Sequence, residues 1–406
     1  MFFKFALKNI LRYKRRTFLT FAVLSFAVGM YMWMAGVLKG FDDMSVENLI
    51  NFETGHFKIR TIDFDEEILF SKDNFVTGYE AVIEKLKKLP FVTSIATRLT
   101  LRGELDNGLD SKPCMAYGID AQEDHKVFNL NDFVSKGSLT PGGVILGRDL
   151  AKDMKVDTGD LVYFTFRTAQ GMIDSIELEV SGILNAPDPL INSSTLFMNI
   201  GELQGFIELP GVTEIAMKTV DFEKYKKYQP ELEKALPGLA VLSWRKLGES
   251  FFNITTMKKR GQGIFIMFIA IIGLVGIINT MLMSVLEKKK EIGTMKALGM
   301  TDGEVQKIFV WEGFLVGVFG AIFGLILGAL FMWYFLVKGF DISAFTGGDA
   351  SMDVGYKVMG IVKAKWDIAS IVTSMTGCVI ASVVASFIPA KKTTKLQPAE
   401  CLRTNQ

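Results

Sequence analysis

Residues 308–337 read IFVWEGFLVGVFGAIFGLILGALFMWYFLV, an apolar run broken by one charge, Glu312. A helix rises about 1.5 Å per residue, so roughly 20 predominantly apolar residues cross the hydrocarbon core of a bilayer. This run is long enough with residues to spare. Working outward, residues 17–38, 262–286 and 368–390 hold no Asp, Glu, Lys or Arg and satisfy the same rule. Between the first and second of these runs lie residues 39–261, with the mixed composition of a soluble domain. The fold class expected is a membrane all-α bundle of four transmembrane helices, with a large α+β extracytoplasmic domain inserted between helices 1 and 2.

Bulk composition agrees. Hydrophobic residues make up 49% of the 406 residues, yet 22% are charged, more than a bare membrane bundle would carry. A net charge of +1 gives no electrostatic case for nucleic acid. The first run could pass for a signal peptide, but a signal h-region spans about 7–15 residues. This one is longer, and Lys39-Gly40-Phe41-Asp42 follows it instead of a small-residue cleavage site. It reads as a retained anchor.

Basic residues set the expected orientation. Lys4, Lys8, Arg12, Lys14, Arg15 and Arg16 precede the first span. Lys288, Lys289, Lys290, Lys296 and Lys307 lie in the segment 287–307 between the second and third. Lys391, Lys392, Lys395 and Arg403 lie in the tail 391–406. Threading four spans puts all three groups on one side, the cytoplasmic one, with both termini. The loop 338–367 then lies outside. Residues 1–16 alternate Phe2, Phe3, Phe5, Leu7, Ile10 and Leu11 with basic residues. That pattern fits an amphipathic helix on the inner leaflet, and equally a plain basic flank.

The third span carries Gly313, Gly317, Gly320, Gly324 and Gly328. Small residues four apart let helix backbones approach closely in lipid, so these form a helix-packing face, within one subunit or between two. Glu312 is costly in the membrane and calls for a partner or for snorkelling to the edge.

In the outer domain, strands are expected at 54–60, 92–105, 114–119, 143–146, 161–168, 173–184, 195–198, 214–219 and 239–244. Helices are expected at 79–88, 149–154 and 222–236. Helical stalks at 41–52 and from 246 join the domain to spans one and two. No GxSxG, HExxH or CxxC motif occurs, and two histidines make no His-rich metal site. The Gly-rich run Pro141–Arg148 lacks the Lys-Ser/Thr of a phosphate loop and reads as turn chemistry. Cys114, Cys378 and Cys401 fall in three compartments of this topology, so no disulfide is expected and Cys114 reads as a lone, packed thiol.

No G-x-x-x-x-G-K-(S/T) sequence occurs, so the chain has no Walker A loop of its own. If transport is active, a separate subunit must supply the energy, and the segment 287–307 is the natural docking element. That segment, Glu287-Lys-Lys-Lys-Glu-Ile-Gly-Thr-Met-Lys-Ala-Leu-Gly299, resembles the signature E-x-x-x-E-(I/F)-G-x-x-(K/R)-A-L-G of the FtsX-like permease superfamily. Glu287, Glu291, Ile292, Gly293, Lys296, Ala297, Leu298 and Gly299 carry the match. The end of span two, Ile278–Val285, and the tail Pro389–Arg403 resemble the same family, with Thr393 or Thr394 and Cys401 where alanine is usual.

The resemblance implies a permease without enzymatic activity of its own. It binds no cofactor, and ATP and Mg belong to a cytoplasmic ABC ATPase dimer docked on those eight residues. It further implies a second permease subunit, identical or homologous. Chain length and the segment Thr54–Ile59 resemble the lipoprotein-releasing (LolC/LolE-like) branch, in the bacterial inner membrane. That branch implies a lipoprotein substrate, membrane lipid and a periplasmic carrier as partners. The alternatives are a MacB-like exporter of peptides or drugs and an FtsX-like mechanical regulator of cell-wall hydrolases. For a cavity taking acyl chains, span one offers Phe21, Phe26, Met30, Trp33 and Met34, and span two offers Phe265, Met267, Phe268 and Met281. Flexible thioethers and flat rings suit varied chains. The competing reading has them facing lipid or neighbouring helices.

Overall fold

The computed structural model describes the chain except residues 1–2, 4, 7–11, 13, 66–70, 169–171, 210, 343–360, 395–396, 398–400 and 402–406. The side chains of residues 14–17, 72, 258–259, 262, 265–266, 268–270 and 272–273 also lie outside the description. Much of the N-terminal segment, the loop 338–367 and the tail motif therefore fall outside it, as do the side chains of Phe265 and Phe268. The chain divides into two compact units. One comprises Met1–Asp42, Thr256–Asp341 and Ile361–Gln406, and the other Asp43–Thr255 and Ile342–Gly360.

The first unit is helical. Helix α1 is Lys14–Asn48, α2 is Glu249–Glu287, α3 is Lys289–Ala297, α4 is Asp302–Val337 and α5 is Ile368–Thr394. Among the described residues, three helices are long and apolar enough to cross a membrane: Phe18–Thr54, Asp302–Val337 and Ile368–Thr394. Helix α2 is continuous through 262–286, and its described apolar stretch is Leu274–Glu287.

The five glycines of α4 divide between two neighbours. A methyl group at Gly317 would lie 2.8 Å from Ser382 of α5, and Gly313 faces Ser386 of the same helix. Farther along, a methyl at Gly320 would lie 2.9 Å from Leu24 of α1, one at Gly324 2.6 Å from Val28, and one at Gly328 3.0 Å from the Met32 sulfur. Ser25 Oγ donates to the Gly320 carbonyl at 3.2 Å. One small-residue stripe thus seats α5 at one end and α1 at the other, within one chain.

The second unit is built on ten strands: β1 Phe57–Thr61, β2 Val92–Asp106, β3 Ser111–Ile119, β4 Val134–Gly137, β5 Gly143–Gly147, β6 Leu161–Arg167, β7 Ile173–Leu184, β8 Thr195–Asn199, β9 Glu214–Thr219 and β10 Leu239–Ser243. Their order is β10-β1-β9-β2-β3-β8-β5-β7-β4, and β6 pairs with both β2 and β7. Strands β2-β3-β8-β5-β7-β6 therefore close on themselves. The circuit surrounds a core that includes Leu99, Leu101, Leu105, Val144, Leu146, Phe164, Val180 and Met198. Closure gives each strand of the circuit a neighbour on both sides, and the short β4 hangs from β7 as an edge. It demands a close approach at Gly103, where a Cβ would meet Phe164 at 2.6 Å.

The other lobe, β10-β1-β9 with the first half of β2, packs helices Tyr79–Lys87 and Tyr225–Ala235 over Phe57, Ile59, Leu86, Ile215, Met217 and Leu232. Strand β2 belongs to both lobes. Its start pairs with β9 through Arg98, and its end pairs with β3 and β6. The glycine-rich run Pro141–Arg148 is a turn only at its start, because Gly143–Gly147 is the buried strand β5.

Candidate functional site

The segment between α2 and α4 is an elbow. Helix α2 ends at Glu287, Lys288 forms the bend, and α3 begins at Lys289. The Lys288 N–H still donates back to the Ser284 carbonyl, and its own carbonyl accepts from Ile292 N–H, so one residue caps two helices. Gly299, at φ +96°, ends the segment in the left-handed conformation glycine tolerates. Thr301 and Glu304 then form a capping box that starts α4.

The eight residues of the signature divide by exposure. Ile292 and Gly293 are buried against this chain itself, Ile292 in a cluster with Val285, Val305, Phe309 and Ala390. Glu287, Ala297, Leu298 and Gly299 are exposed, Leu298 at 82%. Glu291 and Lys296 are half-buried. Arg12 Nη1 reaches Glu291 at 2.6 Å. Lys296 Nζ donates to the Thr393 carbonyl at 2.7 Å and pairs with Asp302 at 2.8 Å. A cation at the C-terminal end of α5 is favourably placed against its unpaired carbonyls. The small apolar centre of the motif thus does not form one surface for a partner, because its middle turn faces inward. The outward face is Lys290, Thr294, Ala297 and Leu298, spaced as one side of a helix.

Glu312, whose partner the sequence left open, pairs with Lys288 of the same chain at 2.9 Å, and both side chains are buried.

The residues offered for an acyl cavity also separate. Phe26, Met30 and Met34 follow one another on the exposed side of α1, and Met267 is exposed on α2. Phe21 instead stacks edge-on against Phe323, and Trp33 lies 5.3 Å from the Phe335 ring. Met281 is buried with Leu24, Ile277, Val316 and Ala385. Three of the named side chains are therefore occupied in packing α4 and α5.

In the second unit, Thr54–Ile59 is where the first stalk becomes sheet. A π-helical turn, Leu49–Thr54, ends at Gly55, φ +60°. His56 Nδ1 accepts from Thr219 N–H at 2.8 Å, and Phe57 and Ile59 enter the core. The root of the second stalk meets the same place. Trp244 N–H donates to the His56 carbonyl at 3.0 Å, and Gly248 closes on Leu49. Behind them lies a charge network that sequence reading missed. Lys58 and Arg60 meet Glu214, and Arg98 meets Asp124 at 2.7 Å beneath the Phe128 ring. Cys114 is buried, and burial pushes its thiol up to about 12. Among the described residues, no group of His, Cys, Asp and Glu could hold a metal ion.

Residues 17–235 match the MacB-like periplasmic core domain, and residues 263–398 match the FtsX-like permease C-terminal family. The chain belongs to this family, whose members are permease components of ABC transporters working with an ATPase partner. It is similar to the lipoprotein-releasing system transmembrane protein LolC of Xylella fastidiosa (strain 9a5c), 26% identical over 305 residues, which cover 72% of this chain and 73% of that one. It is also similar to LolE of Haemophilus influenzae, 21% identical over 347 residues, covering 79% and 80%. A solved structure, the periplasmic region of MacB from Actinobacillus actinomycetemcomitans, aligns with a TM-score of 0.36 at 16% identity, covering 52% of this chain and 98% of that one.

Proposed function

We propose that this chain is the permease of an inner-membrane ABC transporter that lifts lipoproteins from the outer leaflet for delivery toward the outer membrane. The observation that carries this reading is likeness to lipoprotein-releasing permeases over about three quarters of both chains. In this reading four helices span the membrane, with α2 as the second. Both termini and α3 are cytoplasmic, and the ten-stranded unit is periplasmic.

Physical chemistry dictates the need for a partner. An acyl chain of about sixteen carbons is anchored by roughly 12 kcal/mol at about 0.8 kcal/mol per CH₂. Extraction at useful rates needs an external energy source. The chain carries no Walker A loop, so a separate ATPase dimer docks on Lys290, Thr294 and Leu298. A second permease, identical or homologous, completes the cavity, lined from this chain by Phe26, Met30, Met34 and Met267. The stalks carry movement to the outer unit, where the Trp244–His56 hydrogen bond and the close approach of Gly248 to Leu49 tie their roots together, and a periplasmic carrier takes the released cargo.

The test is depletion of the chain followed by membrane fractionation. Outer-membrane lipoproteins accumulating in the inner membrane is the expected result. Normal lipoprotein sorting with lost export of a peptide or drug rejects lipoprotein release in favour of efflux.

A further inference from the structure

We infer that the buried pair Lys288–Glu312 is a positioning device that passes force from the docking segment to α4 and α5 as one body. This rests on the reading that an ATPase docks on α3, and it adds the route by which that contact reaches the spans.

Lys288 sits at the bend between α2 and α3, and its ammonium lies 2.9 and 3.2 Å from the two carboxylate oxygens of Glu312 on α4. Side-chain exposure is 2% for the lysine and 3% for the glutamate. The ammonium also stands 5.6 Å from the Phe309 ring centroid. Val285 of α2, Ile292 of α3, Val305 and Phe309 of α4 and Ala390 of α5 make up the apolar cluster at this node. Four helices therefore meet around one ion pair.

Such a pair is a poor source of stability, because desolvation offsets most of the attraction, and apolar residues of similar size would serve stability as well or better. What an apolar contact cannot do is fix register. Turning α4 by one residue swings Glu312 about 100° away from the ammonium and leaves two buried charges alone. The elbow can therefore move only with α4. Lys296 ties the other end of α3 to the last carbonyls of α5 and to Asp302 at the start of α4. Gly313 and Gly317, one and five residues beyond Glu312, lock α4 to α5 through Ser386 and Ser382. A push on the exposed face of α3 thus has two charged links into a pair of helices already fastened together.

The experiment uses the purified permease–ATPase complex in lipid nanodiscs. On a background without native cysteines, spin labels are attached through Leu109→Cys and Tyr334→Cys, both exposed positions. The label-to-label distance distribution is recorded without nucleotide and after trapping with ATP and vanadate. Variants are Lys288→Met, Glu312→Gln, the apolar double Lys288→Met/Glu312→Met, and the swap Lys288→Glu/Glu312→Lys.

The expected result is that all variants retain the ATPase at wild-type stoichiometry with KM for ATP within twofold. The nucleotide-dependent shift falls by at least half in the single and apolar double variants and returns in the swap. The apolar double buries no lone charge, so it separates transmission from failure to fold. An apolar double that shifts like the wild type overturns the inference, and so does loss of the ATPase from any folded variant, which would make the pair part of docking. Failure of the wild-type chain to retain an ATPase overturns the proposed docking itself, and this inference with it.

Discussion

Lys58 on β1 donates to both carboxylate oxygens of Glu214 on β9, each at 2.8 Å, and both side chains are buried. Arg60 adds a third contact to Glu214 at 2.9 Å. Burial alone would push the Glu214 carboxyl up, but the charges of Lys58, Arg60 and Arg98 and the Lys58 hydrogen bond hold it at about 2. Glu214→Gln leaves the Lys58 ammonium buried without its anion, at a cost of about 3–5 kcal/mol. Hydrogen exchange on the detergent-solubilised chain should show faster exchange in β1 and β9, with the helices of the membrane unit unchanged. The carboxyl is held below its ordinary 4.5, so its contribution is full above that pH and is lost as pH falls toward 2.

His56 titrates in a different window. Burial, and then the Lys218 charge, lowers its imidazole from 6.5 to about 4, although the Asp221 charge opposes the shift. The folded state holds fewer protons than the unfolded state between those values. Stability from this group is therefore full above pH 6.5 and declines as pH falls toward 4. It amounts to roughly 2–3 kcal/mol after allowance for partial exposure. NMR of labelled histidine should give His56 a midpoint near 4, and His56→Asn should flatten the stability profile between pH 6.5 and 4.5. A His56 midpoint near 6.5 rejects the buried, neutral ring.

The glycine stripe gives a graded test. Gly324→Ala places a methyl 2.6 Å from Val28 and Gly317→Ala one 2.8 Å from Ser382, so each should cost about 1–3 kcal/mol by overpacking. At Gly276 and Gly377 an added methyl meets nothing within 4 Å. Alanine there should be neutral or slightly stabilising, since it is the better helix former. Thermal unfolding in detergent separates the two classes, and equal effects at all four sites would reject close packing of α4.

Docking can be read from two positions six residues apart. A photo-crosslinking amino acid at Leu298 should capture the ATPase subunit, whereas one at Ile292 should capture only this chain. The reverse pattern would place the partner on the inward face of α3.

Much of the architecture was legible because it rests on local periodicity. Apolar runs of more than 20 residues anticipate the three long apolar helices among the described residues, and the strands expected at 92–105, 173–184 and 214–219 coincide closely with β2, β7 and β9. The small-residue spacing on α4 was legible too, but its division between α5 and α1 depends on where two distant helices arrive. Likewise, the pairing of β6 with both β2 and β7 is set by tertiary closure, and no local signal marks it. The partners in the charged pairs were not legible for the same reason: Lys58 and Glu214 are 156 residues apart, and Glu312, which called for a partner, finds it in Lys288, 24 residues away across an elbow. Within the motif Glu287–Gly299, letters that look alike point opposite ways. Ile292 and Leu298 are both apolar, yet one closes the chain's own core and the other stands in the open.

The most direct test of the central claim is reconstitution. The permease, its ATPase and any second permease are placed in proteoliposomes loaded with a triacylated lipoprotein, and transfer to a soluble acceptor is measured with and without ATP. The account predicts release that requires ATP and disappears when the ATPase is inactivated. ATP hydrolysis by an intact complex without any lipoprotein release would contradict it.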